Sequence, residues 1–183
     1  MLYVVRHGQT DWNKEKITMG RQDIPLNEVG IKQAEVTKQL IDNYDIDLII
    51  CSPLQRTKQT ANIVNKDKMI DIILDDRIME RNLGQLEGKH YTDDNDMLWD
   101  ININTYVYEV EPMVKFKERV YKFIDDILNQ YRDKNILLVT HGGVTAIINC
   151  YFNNNLYDGN ISNKFLSNCS IASYDNKGYS LKK

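Results

Sequence analysis

Cysteine is scarce in this chain, and what there is does not pair: Cys51, Cys150 and Cys169 are three in number and widely spaced, which does not make a disulfide framework. Cys51 and Cys150 sit among apolar neighbours and read as small core residues, so a reducing, cytoplasmic setting is expected. Long apolar runs are also missing. No stretch approaches the ~20 apolar residues of a membrane span, and the N-terminal Met1–Val5 run is too short for a signal peptide and lacks a basic flank. Excess charge of one sign is absent as well. The net charge is −3, which gives no global attraction to nucleic acid or to an acidic membrane, although local basic groups can still bind a small anion. There are no repeats and no low-complexity tracts.

What remains is an ordinary globular composition. The 183 residues are 42% hydrophobic and 27% charged, which fits one compact domain over 1–183 with a sizeable core. Leu2–Val5 is a short continuous apolar run, as in a buried parallel strand. Leu26 to about Leu40 reads as a helix with Asn27 as its N-cap and Gly30 as a weak point. Asp47–Cys51 is a second strand stopped by Ser52-Pro53, Leu54 to about Val64 a second helix, and Ile70–Leu74 a third strand. From about 89 to 111 periodicity fails, and an irregular loop or lid containing Trp99 is expected. Pro112 then opens the clearest helix: Phe116, Val120, Phe123, Ile124, Ile127, Leu128 and Tyr131 form one apolar stripe. Ile136–Val139 is another buried strand, followed by a helix from about Val144 to Phe152. The tail, Ser170–Tyr174 and Tyr179–Leu181, suggests a closing strand or hairpin.

Alternating strands and helices predict an α/β domain in three layers, a mainly parallel central sheet flanked by helices. Ligands of such sheets bind beyond the carboxyl ends of the strands. Three strands end there in chemically conspicuous residues: Arg6-His7-Gly8, Cys51-Ser52-Pro53 leading to Arg56, and His141-Gly142-Gly143. The chain has three histidines, and two of them directly follow buried strands as His-Gly. A single histidine at a strand end is usually structural, but two such pairs with two arginines nearby describe an anion site. Arginine offers phosphate a fixed fork of donors, and glycine lets backbone N–H groups approach. The third histidine, His90, reads as a surface residue.

Arg6-His7-Gly8-Gln9-Thr10-Asp11-Trp12-Asn13 resembles the R-H-G-x-T-x-x-N signature of the histidine phosphatase (phosphoglycerate mutase-like) superfamily. The stretch Gly20-Arg21-Gln22-Asp23-Ile24-Pro25-Leu26 resembles its G-x-x-D-x-P-L element. Ser52-Pro53-Leu54-Gln55-Arg56-Thr57 through Ala61 is similar to its S-P-L-x-R element. Glu80 through Gly88 is similar to E-x-x-x-G-x-x-E-G, and Thr140-His141-Gly142-Gly143 to the second histidine motif. The resemblance runs in order from Met1 to about Ile148, and it implies a phosphoglycerate mutase-like fold.

It also implies roles. His7 becomes a phosphohistidine, while Arg6, Arg56 and His141 clamp the phosphoryl oxygens and Asn13 adds a donor. Gly8, Gly20 and Gly142 lie along the phosphate site. Glu80 is the general acid that protonates the leaving oxygen and then the base that activates water. An unprotonated imidazole is a competent nucleophile and the clamp supports the transferring charge, so neither a metal nor another cofactor is expected. At position 19, many family phosphatases carry Gln and many mutases carry Thr or Ser. Here the residue is Met19, which cannot donate to substrate oxygens.

A phosphatase acting on a small phosphorylated metabolite is the favoured reading. Cofactor-dependent phosphoglycerate mutase is the alternative, and a catalytically inactive phosphate-binding regulatory protein is a third. Mutases of the family are longer, with an insertion and a C-terminal tail over the site. Between His90 and Glu111 this chain has no lysine or arginine but six acids, Asp93, Asp94, Asp96, Asp100, Glu109 and Glu111. If the loop covers the site, that is a poor clamp for a second anion. Nucleoside phosphates such as α-ribazole phosphate, sugar phosphates, phosphoglycerates and phosphoproteins all stay open as substrates, as does the oligomeric state.

Overall fold

The computed structural model describes residues 1–92, 97–102, 107–153, 159–175 and 178–180. The strands are β1 (Leu2–Arg6), β2 (Leu48–Cys51), β3 (Ile72–Leu74), β4 (Ile136–Thr140), β5 (Ile171–Asp175) and β6 (Gly178–Ser180). They form one sheet in the order β3-β2-β4-β1-β5-β6. The first four in that order are parallel, whereas β5 runs antiparallel to β1, and β6 antiparallel to β5. The helices are α1 (Asp11–Lys14), α2 (Glu28–Ile41), α3 (Gln55–Val64), α4 (Met113–Gln130) and α5 (Gly142–Phe152). The expected mainly parallel sheet is therefore present, and the tail closes it as the expected hairpin; Leu181 of that expectation lies outside the described residues.

Side chains of successive strand residues point to opposite faces, and this divides the core in two. Leu2, Val4, Leu48, Ile50, Ile136 and Leu138 pack with α4 and α5. Tyr3, Val5, Ile49, Cys51, Leu137 and Val139 pack on the other face with Ile41 of α2 and with Ala61 and Val64 of α3. Three layers follow directly from strands that are apolar on both faces. The α4 stripe behaves as its spacing predicts: Phe116, Val120, Phe123, Ile124 and Ile127 are buried, and Leu128 and Tyr131 pack at its edge. β3 is an edge strand, so Ile73 and Leu74 remain partly exposed. No described helix is long and apolar enough to cross a membrane.

Gly30, expected as a weak point of α2, has a specific reason to be glycine. A Cβ there would lie 2.1 Å from the Gln9 carbonyl oxygen, and one on Gly8 would lie 2.5 Å from the Gly30 oxygen. The first turn of α2 and the loop after β1 touch backbone to backbone, so any side chain would lift that loop. Asn27 caps α2 as expected, accepting from the Gly30 N–H at 2.9 Å.

Candidate active site

Register brings the conspicuous residues together. Leu2 of β1 and Leu48 of β2 both pair with Ile136 of the intervening β4. At the other end the His7 N–H donates to Thr140 O at 2.9 Å, and the Ser52 N–H to Val139 O at 3.0 Å. His7, Ser52 and His141 thus stand side by side beyond three adjacent carboxyl ends, where α/β sheets bind ligands. The two imidazoles are edge to face, with centroids 5.3 Å apart.

His7 is buried. Its Nδ1 lies 2.7 Å from the Gly8 carbonyl oxygen, which can only accept, so Nδ1 carries the proton and Nε2 keeps its lone pair. Burial first, then the charges of Arg56 and Arg6, hold His7 well below the ordinary imidazole range against a weaker pull from the Gly8 carbonyl. His141 is lowered for the same reasons, with burial dominant, and its Nε2 lies 2.7 Å from Ser52 Oγ.

The loop after β1 is stiffened by side chains of its own motif. Thr10 caps α1 by accepting from the Asn13 N–H at 3.1 Å, and Asn13 Oδ1 accepts from the Thr10 N–H at 3.2 Å, a reciprocal cap. The Gly8 N–H donates to Thr60 Oγ1 of α3 at 3.1 Å. Asn168, which sequence reasoning missed, donates to the His7 carbonyl at 2.9 Å.

Two arginines flank His7. Arg56 is buried; its Nη1 donates to Gln22 O at 2.7 Å and its Nη2 to Gly20 O at 2.8 Å. Burial lowers its pKa to about 10, so it stays charged at neutral pH. Arg6 donates from Nη1 to the Leu166 carbonyl at 2.8 Å. Among the described residues, four buried side-chain polar atoms have no partner: Arg6 Nε, Arg56 Nε, His141 Nδ1 and Arg81 Nη2. Buried donors are normally satisfied, and three of these four belong to the arginines and imidazole around His7. That is the signature of a cradle for an anion.

Glu80 follows a short 3₁₀ turn, Asp76–Ile78, and is held at both oxygens. Oε1 accepts from the Arg81 N–H and Oε2 from the Gly143 N–H, each at 2.9 Å. The N-terminus of α5 therefore receives the Glu80 carboxylate, as helix N-termini do for anions. Gly143 must lack a side chain there, since a Cβ would come within 2.5 Å of both Glu80 Oε1 and the Trp99 ring. The sequence placed the start of this helix at about Val144; it begins at Gly142 because His141 already serves as N-cap.

Arg119 of α4 fixes the backbone that carries Glu80. It donates to the carbonyls of Arg77, Met79 and Glu80 at 2.6, 2.8 and 3.0 Å. The same guanidinium pairs with Glu111 at 2.7 and 2.9 Å. Burial alone would raise the Glu111 carboxyl, but the Arg119 hydrogen bonds and charge, with the Asn82 N–H and Arg21, hold it below the usual range. Nothing in the sequence marks Arg119 except its place beside the apolar stripe of α4.

Arg6, His7, Asn13, Gly20, Arg56 and Glu80 line one cavity of about 150 Å³, with Met19, Tyr91, Leu98, Trp99 and Phe165 among its other walls. Gly8, His141 and Gly142 are not among its lining residues; Gly142 lies against the Arg6 guanidinium and the His141 ring against that of His7. His90 is exposed, its backbone bridged to Ile17. Of the six loop acids, Asp93, Asp94 and Asp96 lie outside the described residues. Glu111 is paired with Arg119, Asp100 caps the Asn102 N–H, and Glu109 is exposed. None of these three lines the cavity, so the described loop residues present aromatic and apolar side chains to it rather than negative charge. No group of three or more His, Cys, Asp or Glu side chains among the described residues is arranged to hold a metal ion.

Against known proteins, residues 2–182 match the model of the histidine phosphatase superfamily (branch 1). The chain is 34% identical over 139 residues to "Uncharacterized phosphatase PhoE" of Bacillus subtilis, covering 76% of this chain and 70% of that one. It is also 34% identical over 148 residues to "Probable phosphoglycerate mutase GpmB" of Yersinia pestis, covering 77% and 69%. Among solved structures, Bacillus stearothermophilus YhfR superposes with a TM-score of 0.85 at 26% identity, over 98% of this chain and 94% of that one.

Proposed function

This chain belongs to the histidine phosphatase superfamily and is a phosphatase, and on that footing we propose that it hydrolyses small phosphomonoesters through a phosphohistidine on His7, with Glu80 as general acid and then base. The observation that carries the proposal is the His7 tautomer: Nδ1 is committed to the Gly8 carbonyl, so Nε2 is the free nucleophile, set between two arginines whose buried Nε atoms have no protein partner.

In the first step the Nε2 lone pair forms the P–N bond as the P–O bond to the alcohol breaks. Glu80 gives its proton to the departing oxygen, so a neutral alcohol leaves. Each Glu80 oxygen accepts one backbone N–H and keeps a second lone-pair site for that proton. In the second step water attacks phosphorus, Glu80 takes its proton, and the P–N electrons return to Nε2 as inorganic phosphate departs. Arg6 and Arg56 balance the charge on the phosphoryl oxygens throughout, in a site where buried donors act strongly. Asn13, whose Oδ1 is engaged in the cap, supplies its amide N–H₂. With the Ser52 hydroxyl donating to His141 Nε2, the His141 Nδ1–H supplies a further donor. Gly8, Gly20 and Gly142 shape the backbone around the anion.

The cradle uses guanidinium, imidazole and amide donors, which supports a reaction without metal or other cofactor. The three buried cysteines, none in a disulfide, support a reducing, cytoplasmic location. Segment 89–111 is the substrate-facing loop of a domain spanning 1–183, as its contribution of Tyr91, Leu98 and Trp99 to the cavity supports. Hydrolysis is favoured over mutase chemistry because Arg21 and Arg119 are paired with Glu111 and Arg81 is buried against carbonyls. Those arginines are therefore not available to a second anion.

The test is protein treated with EDTA and dialysed, then assayed against a panel of phosphomonoesters with acid-quench trapping of the label. Undiminished turnover and an acid-labile phosphohistidine at position 7 are expected. Activity lost on chelation and restored by a divalent ion, or label on serine or cysteine, would overturn the mechanism.

A further inference from the structure

Beyond the phosphoryl cradle the cavity continues into a second hollow of about 380 Å³, which shares Asn13, Ile17, Tyr91, Trp99 and Phe165 with it. Half of its lining residues carry aromatic rings. Trp12 comes from α1, Tyr91 and Trp99 from the 89–111 segment, and Phe165 from the turn before β5. Two of these rings are fixed in advance. Trp99 is 5% exposed and meets Phe165 edge to face, with centroids 4.7 Å apart and planes at 86°. Its far side is backed by Phe116 and by the Arg81 guanidinium, 5.8 Å from the ring centre. Tyr91 is 38% exposed and Trp12 half-buried, so both still have apolar surface to bury. On the inner side stands the thioether of Met19. Outside the cradle, Lys16 is the one cation among the described residues lining either hollow, and Glu80 is the one carboxylate.

We propose that this groove holds the alcohol part of the substrate and takes a flat, uncharged ring, so that the enzyme acts on phosphomonoesters of alcohols carrying an aromatic or heteroaromatic group. The inference rests on the phosphatase reading and narrows its substrate class. Aromatic walls give a planar ring both buried area and favourable face or edge contacts. A second carboxylate or phosphate in the same place would meet only the exposed Lys16 ammonium and no guanidinium fork, so it would lose water for little compensating pairing. Met19 adds no donor that could compensate.

The experiment compares three esters whose leaving groups are all primary alkoxides, so that chemistry is matched and only the appendage differs: 2-phenylethyl phosphate, propyl phosphate and 2-carboxyethyl phosphate. The phenylethyl ester is expected to have a kcat/KM about tenfold or more above the propyl ester, from the area its ring buries, and the carboxyethyl ester to fall below both. Trp12→Ala and Tyr91→Ala should each cut the phenylethyl-to-propyl ratio at least threefold, mainly through KM. The ratio is internal to one preparation, so a partly misfolded variant lowers both rates alike and leaves it unchanged. Equal kcat/KM for the phenylethyl and propyl esters, a ratio that survives in both variants, or preference for the carboxyethyl ester overturns the groove assignment while leaving the phosphatase reading intact. Failure to hydrolyse any ester, with no phosphohistidine trapped, overturns the reading beneath it.

Discussion

Arg6, His7, Ser52 and His141 stand at the carboxyl ends of three adjacent parallel strands, whereas Trp12 of α1, Tyr91 and Trp99 of the 89–111 segment and Phe165 of the turn before β5 share no sheet position. The inner group is tied by backbone register and by hydrogen bonds of 2.7 to 2.9 Å, among them His7 N–H to Thr140 O, His7 Nδ1 to Gly8 O and Ser52 Oγ to His141 Nε2. The outer group is held by ring packing, such as that of Trp99 on Phe165. A strand end is fixed by its neighbours on both sides, so it suits chemistry that tolerates little displacement. Turns can change composition without disturbing the sheet, which suits substrate selection. The division predicts that cradle variants lose kcat with every substrate, and that rim variants change KM with some.

His7→Ala is the strongest test of that division. Turnover should fall on the order of 10⁴-fold or more with every ester, with the circular dichroism of the fold retained. Substantial residual turnover that still passes through a phosphoenzyme would move the nucleophile elsewhere.

Arg56→Lys keeps a charge but loses the fork that reaches Gln22 O and Gly20 O and leaves Nε for the proposed anion. A fall of roughly 100- to 1,000-fold in kcat/KM is expected, equal for ring-bearing and plain alkyl esters. If steady-state kinetics found the loss confined to one class, Arg56 would belong to the rim.

Glu80→Gln should cost roughly 100-fold with an alkyl phosphate and much less with nitrophenyl phosphate, whose leaving group needs little protonation. Equal losses with both would remove the proton-donor role and leave Glu80 as a structural ligand of the α5 N-terminus.

The smallest effect concerns stability. His7 and His141 are buried and held neutral, well below the ordinary imidazole range, by desolvation and then by Arg56. Below about pH 6.5 the unfolded chain binds protons that the fold does not. Unfolding free energy therefore rises with pH up to that value, and stability is lost as the pH falls from it. Thermal or urea unfolding between about pH 7 and 5 should show this slope. His7→Asn should flatten it by up to about 1.4 kcal/mol per pH unit. An unchanged slope would mean that His7 takes up its proton in the folded state.

The cradle was the more legible half. Each strand end carries its chemistry within a few residues of an apolar run, and the helix periods of α2, α3 and α4 are plain. The rim was less so. Trp99 could be located in the aperiodic segment, but nothing local says that it packs on Phe165, 66 positions later in the chain. Nothing local marks Arg81 for burial, yet it is entirely buried against Glu111 O and Leu98 O. Gly30 looks like a helix defect until the Gln9 carbonyl is seen against it.

By itself the sequence determined which residues could form buried strands, which arginines and histidines follow them, and hence that these candidate anion-binding groups gather at one edge of a parallel sheet. Those properties depend on alternation, spacing and residue chemistry, all of which are local. The tertiary structure alone decided which imidazole nitrogen is free, that the α5 N-terminus holds Glu80, and that rings distant in the chain form one groove. These depend on distances between segments far apart in the chain, which strand register and packing against α4 and α5 establish only when the layers close.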